Sequence, residues 1–154
     1  MKEIYDLGQL SEKVIAKLTS AGAEKASCGL SCREKQEFNY VSGDFSLFRT
    51  LFSNSLSLTA IKESKRGVAS VNRLDDEAID RAVEDCIAAA DAAEPDPAWD
   101  MAPVTENADF VNGTLEPDVE LLFDRTRELV ATIKKDYPKI VIEELIASYS
   151  TGHG

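Results

Sequence analysis

Histidine is nearly missing from this chain: His153 is the only one. A histidine-rich zinc site within these residues is therefore excluded. No nucleophile–base pair built on histidine is in view either. His153 lies next to the last residue and reads as part of a tail. Cysteine is scarce and odd in number, at three, which argues against a disulfide framework. A reducing cytoplasm is the natural compartment. Positive charge is also short, with 17 Lys and Arg against 28 Asp and Glu, a net charge of −11 and a pI of about 4.5. That balance disfavours direct nucleic-acid binding and docking on an anionic membrane. No apolar run approaches the roughly 18 residues of a membrane-spanning helix. "MKEIYDLGQL" at the start has no apolar core of a signal peptide.

What is present is a chain of 154 residues with 44% hydrophobic content, enough for one domain with a real core. A single domain over 1–154 is expected. Leu7, Leu10, Val14 and Leu18 recur at helical steps, so a first helix is expected over about 7–21. Asp6 is its N-cap, Gln9 completes a capping box, and Gly22 is placed for the C-cap. From 25 to 72 the pattern changes to strands: 26–32, 35–41, 45–52, 56–62 and 67–71. Ser42-Gly43-Asp44 and Ser53-Asn54 mark breaks, and Lys65-Arg66-Gly67 reads as a hairpin tip. The links are too short for crossover helices, so neighbouring strands should pair antiparallel.

A second helix begins at Asp75, with Leu74 and Ile79 as a hydrophobic staple and Ile79, Val83, Cys86, Ile87 and Ala90 as its buried stripe. "EPDPAWDMAP" (94–103) ends it, since prolines cannot continue a helix. A polar connector then runs to about 115. A third helix is expected over 117–136, with Pro117 in its first turn and Val119, Leu122, Thr126, Leu129 and Ile133 on one face. "KIVIEELIASYS" (139–150) reads as a last strand. The class is α+β: an antiparallel sheet of about four or five strands with helices packed on one face.

Candidate chemistry is sparse. Cys28 and Cys32 would share one side of a strand roughly 13 Å apart, too far for a common zinc ion or a disulfide. With Cys86 they read as small buried hydrophobes. Asp75, Asp76 and Glu77 are explained by helix capping and the helix dipole. Lys62, Lys65 and Arg66 form the one dense basic cluster, next to Gly67. A phosphate-binding glycine loop needs a helix N-terminus after the glycine, and here a strand follows. Lys65 and Arg66 therefore stand as contact candidates for an anion or a peptide. Trp99, in the proline-rich connector, reads as a plug over an edge or as a third, peptide-contacting candidate. No catalytic, cofactor-binding or metal-ligating residue is assigned.

"KRGVASVNRLDDEAIDRAVEDCIAAADAAEPDPAWDMAP" resembles the N-terminal domain of the TldD/PmbA family. Those proteins were first described as modulators of DNA gyrase and are regarded as metallopeptidases. The shared order is Arg66-Gly67, the small residues Ala69-Ser70, Leu74 to Ile79, alanines 88–90 and Asp96-Pro97. "SAGAEKASCGLS" and Ser42-Gly43-Asp44 agree with it, and the spacing looks closer to the PmbA (TldE) branch. The similarity covers roughly residues 7–140. The resemblance implies a chain about three times longer, with a His-Glu-x-x-x-His helix and a distant cysteine holding zinc in its later part. No such motif is present here, so the chain is expected to be an N-terminal fragment with no cofactor of its own. The resemblance further implies a zinc-dependent peptidase acting on unfolded or extended peptides, or its inactive partner subunit. It implies a homo- or hetero-dimer with a TldD-like subunit, and a domain that helps form the substrate chamber. A different class also fits the size and acidity: a small peptide-binding module such as a type III secretion chaperone. A stand-alone enzyme is the third reading, disfavoured by the missing ligand and nucleophile sets.

Overall fold

Asp6 caps the first helix as its position demands, its carboxylate accepting from the Gln9 amide at 3.0 Å. The helix, α1 (Leu7–Ser20), closes at Gly22, whose φ of +104° lets the Gly22 amide bond Thr19 O and the Ala23 amide bond Leu18 O. The computed structural model describes residues 6–103, 108–114 and 116–154. After α1 come β1 (Lys25–Val41), β2 (Asp44–Lys62), β3 (Lys65–Val71), α2 (Asp76–Ala92), α3 (Val119–Asp136) and β4 (Glu144–His153). The strands form one open antiparallel sheet in the order β3-β2-β1-β4, and the class is α+β.

The described residues form four strands because two expected breaks are continuous strand. β1 runs 17 residues through Arg33-Glu34, and β2 runs 19 through Ser53-Asn54. Neither dipeptide contains glycine or proline, so nothing local prevents the ladder from continuing. Ser42-Gly43 is a two-residue turn as expected, with φ of +52° and +109°. The β2–β3 turn is Glu63-Ser64, with φ of +52° and +60°, and not Lys65-Arg66-Gly67. The latter three residues belong to β3, where Lys65 pairs with Lys62, Arg66 with Ile61 and Gly67 with Ala60.

By internal contacts the chain divides into two units, and strands β1 and β2 contribute to each. The first comprises the residues up to Cys32, Ser53–Ala108 and Gly152–Gly154. Its core joins Val14 and Leu18 of α1, Leu56, Leu58 and Ala60 of β2, and Ile79, Ala82, Val83 and Cys86 of α2. Ala26, Cys28, Leu30 and Cys32 of β1 add to it, so alternate β1 side chains face the helices. The other side carries short polar residues, among them Ser31 and Ser55, whose hydroxyls lie 3.1 Å apart. Asp75 caps α2 through the Ala78 amide (3.2 Å), and Lys13 of α1 pairs with Asp76 at 2.5 Å. Lys17 of α1 pairs with Asp80 as well.

The second unit comprises Arg33–Phe52 and Asp109–Thr151. An aromatic cluster is built on the buried Phe38 and Tyr40, with Phe45 and Phe123 half-buried beside them and Phe48 joining from the exposed side; centroids are 4.8–6.3 Å apart in edge and tilted contacts. Asp118 is the α3 N-cap, accepting from Leu121 N at 2.9 Å, which places Pro117 just before the helix and not in its first turn. The buried α3 face centres on Thr126 and Val130, whereas Leu129 is exposed. The last strand starts at Glu144 rather than Lys139 and continues to His153, so His153 is strand and not a loose tail. The connector expected to reach residue 115 lies partly outside the described residues.

Candidate functional site

The basic cluster and Trp99 meet at the β2–β3 corner of the first unit. Lys62 Nζ pairs with the Asp91 carboxylate at 2.6 Å, and that bond raises the lysine's pKa above its ordinary value. Lys65 Nζ donates to the Asp91 carbonyl at 3.3 Å, at the C-terminal end of α2. Carbonyls there carry the negative end of the helix dipole, so two lysines neutralise it. Both ammonium groups are thus engaged inside the protein. An anion at this corner would compete with Asp91.

Arg66 is used differently. Its guanidinium lies over the Trp99 ring, 4.7 Å from the centroid, a cation–π contact in which both partners stay exposed. Trp99 is held by a turn: the Asp96 carboxylate accepts from Ala98 N (2.8 Å) and the Asp96 carbonyl from Trp99 N (3.0 Å). The turn is tied to the hairpin by Asp96 N donating to Ser64 O at 2.8 Å. The adjoining Asp100 pairs with Lys25, whose ammonium holds that carboxyl below its usual range. Residues 94–100, an irregular stretch by composition, are therefore a folded strap.

A two-residue hairpin makes its flanking residues, Lys62 and Lys65, the hydrogen-bonded closing pair. Alternation along β3 then turns the main-chain groups of Arg66, Val68 and Ser70 outward. β3 is an edge strand, so these groups have no strand partner on that side of the sheet. Of the three candidate contacts, Arg66 and Trp99 stand together by this edge, and Lys65 is committed to α2. Gly67 has no part in a phosphate cradle. A Cβ there would lie 2.0 Å from Cys86 O and 2.6 Å from Ala90 N, so the glycine exists to let α2 pack onto β3.

The other reactive side chains are structural. Cys86 is buried in the core, and burial pushes its thiol pKa up, against the opposing pull of the Ala60 and Ala69 backbone. Burial likewise raises Cys28. None of the three cysteines is in a disulfide. Asp76 is held below its usual range by Lys13. Among the described residues, no three His, Cys, Asp or Glu side chains gather closely enough to hold a metal ion.

Sequence reasoning missed a second feature, in the second unit. Glu37 is buried and paired with Lys35 Nζ (2.8 Å) and Arg49, and the two cations hold its carboxyl below the usual range. In the same unit a cavity of about 650 Å³ is lined by Tyr40, Ser42, Gly43, Lys134 and residues 140–143. Only the β-branched run 140–142 hinted at it, and that run reads equally well as strand.

No family model matches the sequence. No curated protein matches it either. Solved structures do match. TldE from Thermococcus kodakarensis superposes with a TM-score of 0.76 at 15% identity, covering 93% of this chain and 33% of that one. A candidate modulator of DNA gyrase from Bacteroides thetaiotaomicron gives 0.66 at 17%, covering 97% and 36%. Another from Thermotoga maritima gives 0.57 at 14%, covering 95% and 35%. The chain has the fold of these proteins and spans about a third of their length.

Proposed function

We propose that this chain is the non-catalytic N-terminal domain of a TldD/PmbA-type peptidase, nearer the PmbA (TldE) branch. The observation that carries the reading is the fold likeness to TldE, which takes in 93% of this chain but a third of that one. In this reading the domain helps enclose the chamber that receives unfolded or extended peptides. The β3 edge, with Arg66 and Trp99 beside it, supplies main-chain groups for an extended peptide. In this reading zinc is held by another part of the longer protein or by a TldD-like partner subunit.

Surface composition supports subunit contacts. Among the described residues, every exposed large hydrophobic except Val68 and Trp99 lies in the second unit. Phe48 is 63% exposed, Phe110 83% and Val141 82%. Apolar side chains left open on this scale mark a surface that another polypeptide covers. The test is zinc content and peptide cleavage. The 154-residue chain should hold no stoichiometric zinc and cleave nothing, whereas the full-length protein with its partner subunit should hold zinc and cleave peptides. Peptide hydrolysis by the 154-residue chain alone would refute the reading.

A further inference from the structure

Strand β2 has an unpaired side in the second unit. Among the described residues β3 pairs only with Leu56–Lys62 of β2, so the stretch from Asp44 to Phe52 has no strand partner on that side. The Lys62–Lys65 closing pair turns the main-chain groups of Leu56, Leu58, Ala60 and Lys62 toward β3. Glu37 against Arg49 and Ser31 against Ser55 keep one register with β1, so the alternation runs unbroken back to Phe48. The N–H and C=O groups of Phe48, Thr50 and Phe52 therefore point along the unpaired side. Leu47, Phe48, Leu51 and Phe52 flank it, and all four are exposed.

Native edge strands are blunted by charge, proline or brevity. Strand β3 fits that rule, with seven residues that begin Lys65-Arg66. The β2 edge does not. Between Phe45 and Ser55 its one charge is Arg49, which Glu37 on β1 neutralises. The edge also reads alike in both directions about Thr50: Phe48-Arg49-Thr50-Leu51-Phe52. Run antiparallel against itself, it sets Thr50 opposite Thr50 and each Phe48 opposite a Phe52, both favourable cross-strand pairs. Arg49 then meets Leu51 and not a second arginine. An interface about a two-fold axis needs this self-complementarity, and a peptide of unrelated sequence has no use for it. Phe45 and Phe48, three apart, both touch Phe38 and Phe123, so an extra residue bulges between them and bends the strand there. The bulge confines the self-matching ladder to Phe48–Phe52.

We propose that a second copy of this chain pairs antiparallel on the β2 edge, with the two-fold axis at Thr50. Thr50 exchanges both main-chain hydrogen bonds with the partner's Thr50. The partner's Phe52 lies against Phe48, beside a shallow cavity of about 190 Å³ that Phe48, Thr50 and Val119 help to line. The inference rests on the reading that this unit makes subunit contacts, and it adds the strand, the partner and the register.

The test is sedimentation equilibrium of the 154-residue chain from about 10 µM to 1 mM, the range suited to a small interface. A reversible monomer–dimer equilibrium is expected. It should tighten with added salt, because copies of net charge −11 repel each other at long range. A half-labelled sample reads the register: filtered NOEs should join the Arg49 Hα of one copy to the Leu51 Hα of the other, the close pair of an antiparallel ladder. Thr50→Pro removes an N–H that β1 does not use, and should weaken the dimer roughly tenfold or more. Leu51→Lys, at an exposed position, sets a lysine against Arg49 twice per dimer and should weaken it by a similar factor. Far-ultraviolet circular dichroism checks that each variant is folded, and Leu51→Lys carries the test if Thr50→Pro is not. A chain still monomeric at about 1 mM, a dimer indifferent to Leu51→Lys, or NOEs in another register would each overturn the proposal. So would a monomeric chain whose Phe48, Thr50 and Phe52 amides shift on adding an unrelated apolar peptide, since the edge would then be a peptide site. None of these outcomes bears on zinc content or cleavage, so the peptidase-domain reading is judged apart from them.

Discussion

Replacing Gly67 by alanine should lift α2 from β3. The new Cβ would sit 2.0 Å from the Cys86 carbonyl oxygen and 2.6 Å from Ala90 N, both backbone atoms that cannot rotate away. Ordinary carbon–oxygen contact is about 3.3 Å, so the helix must recede by more than an ångström. A gap of 0.5–1 Å already forfeits about a quarter to a half of the dispersion well. The affected side chains are Ile79, Ala82, Val83, Cys86 and Ala90. Their combined burial is worth on the order of 7 kcal/mol at about 0.8 kcal/mol per methylene and 1.5–3 for a branched side chain. Losing up to half of that gives about 3 kcal/mol, at the upper end of overpacking costs. In a chain of this size such a loss lowers the thermal midpoint by roughly 6–12 °C. Urea unfolding followed by far-ultraviolet circular dichroism measures it directly. Adding Ala90→Gly should recover little, because only the 2.9 Å contact involves the Ala90 side chain. A loss below about 1 kcal/mol for Gly67→Ala would refute the packing argument.

Other expectations follow from single features. Glu63 and Ser64 both hold left-handed φ without being glycine or asparagine, so Glu63→Asn with Ser64→Gly should stabilise the chain by about 1–2 kcal/mol in the same urea assay. Glu37 has a lowered folded pKa because Lys35 and Arg49 pair with it. Its stabilisation is present above the unfolded value near 4.5 and is lost as pH falls through the lower folded value. Glu37→Gln should therefore flatten the acid limb of a stability–pH curve; an unchanged limb would show that the pairing does not matter. Arg66→Ala should cost about 0.5–1 kcal/mol and shift the emission of Trp99, the only tryptophan, by removing the stacked guanidinium.

Local chemistry was legible wherever a residue type has one use. Asp6, Gly22, Asp75 and the Ser42-Gly43 turn all stand where their side chains or φ angles require. Failures came where a residue has two uses. Gly67 follows two basic residues and reads as a turn, but its partner is the α2 backbone, distant in sequence. The true turn, Glu63-Ser64, carries no turn residue of its kind, so composition hides it. Residues 139–142 are β-branched in part and read as strand, yet they precede β4, since strand preference reports fit to a half-buried pleat and Ile140 and Val141 are exposed. On α3 the expected face held at Leu122, Thr126 and Ile133 but not at Leu129: Val130 is buried in its stead, the two being equally apolar. At the candidate corner, Lys65, Arg66 and Trp99 were each visible. Their division of labour was not, because it depends on Asp91 and the strap at 94–100.

Cys86 turns the α2–β3 seam into a clock. Its thiol is fully buried between the helix and the strands, with a raised pKa, so a disulfide reagent in bulk solvent cannot reach it in the closed protein. Modification must wait for α2 to swing out. When reclosing outruns the reagent, the rate divided by that of an unfolded thiol equals the opening equilibrium constant. One buried sulfur can thus report how often the helix leaves the sheet, residue by residue along any series of variants at the seam.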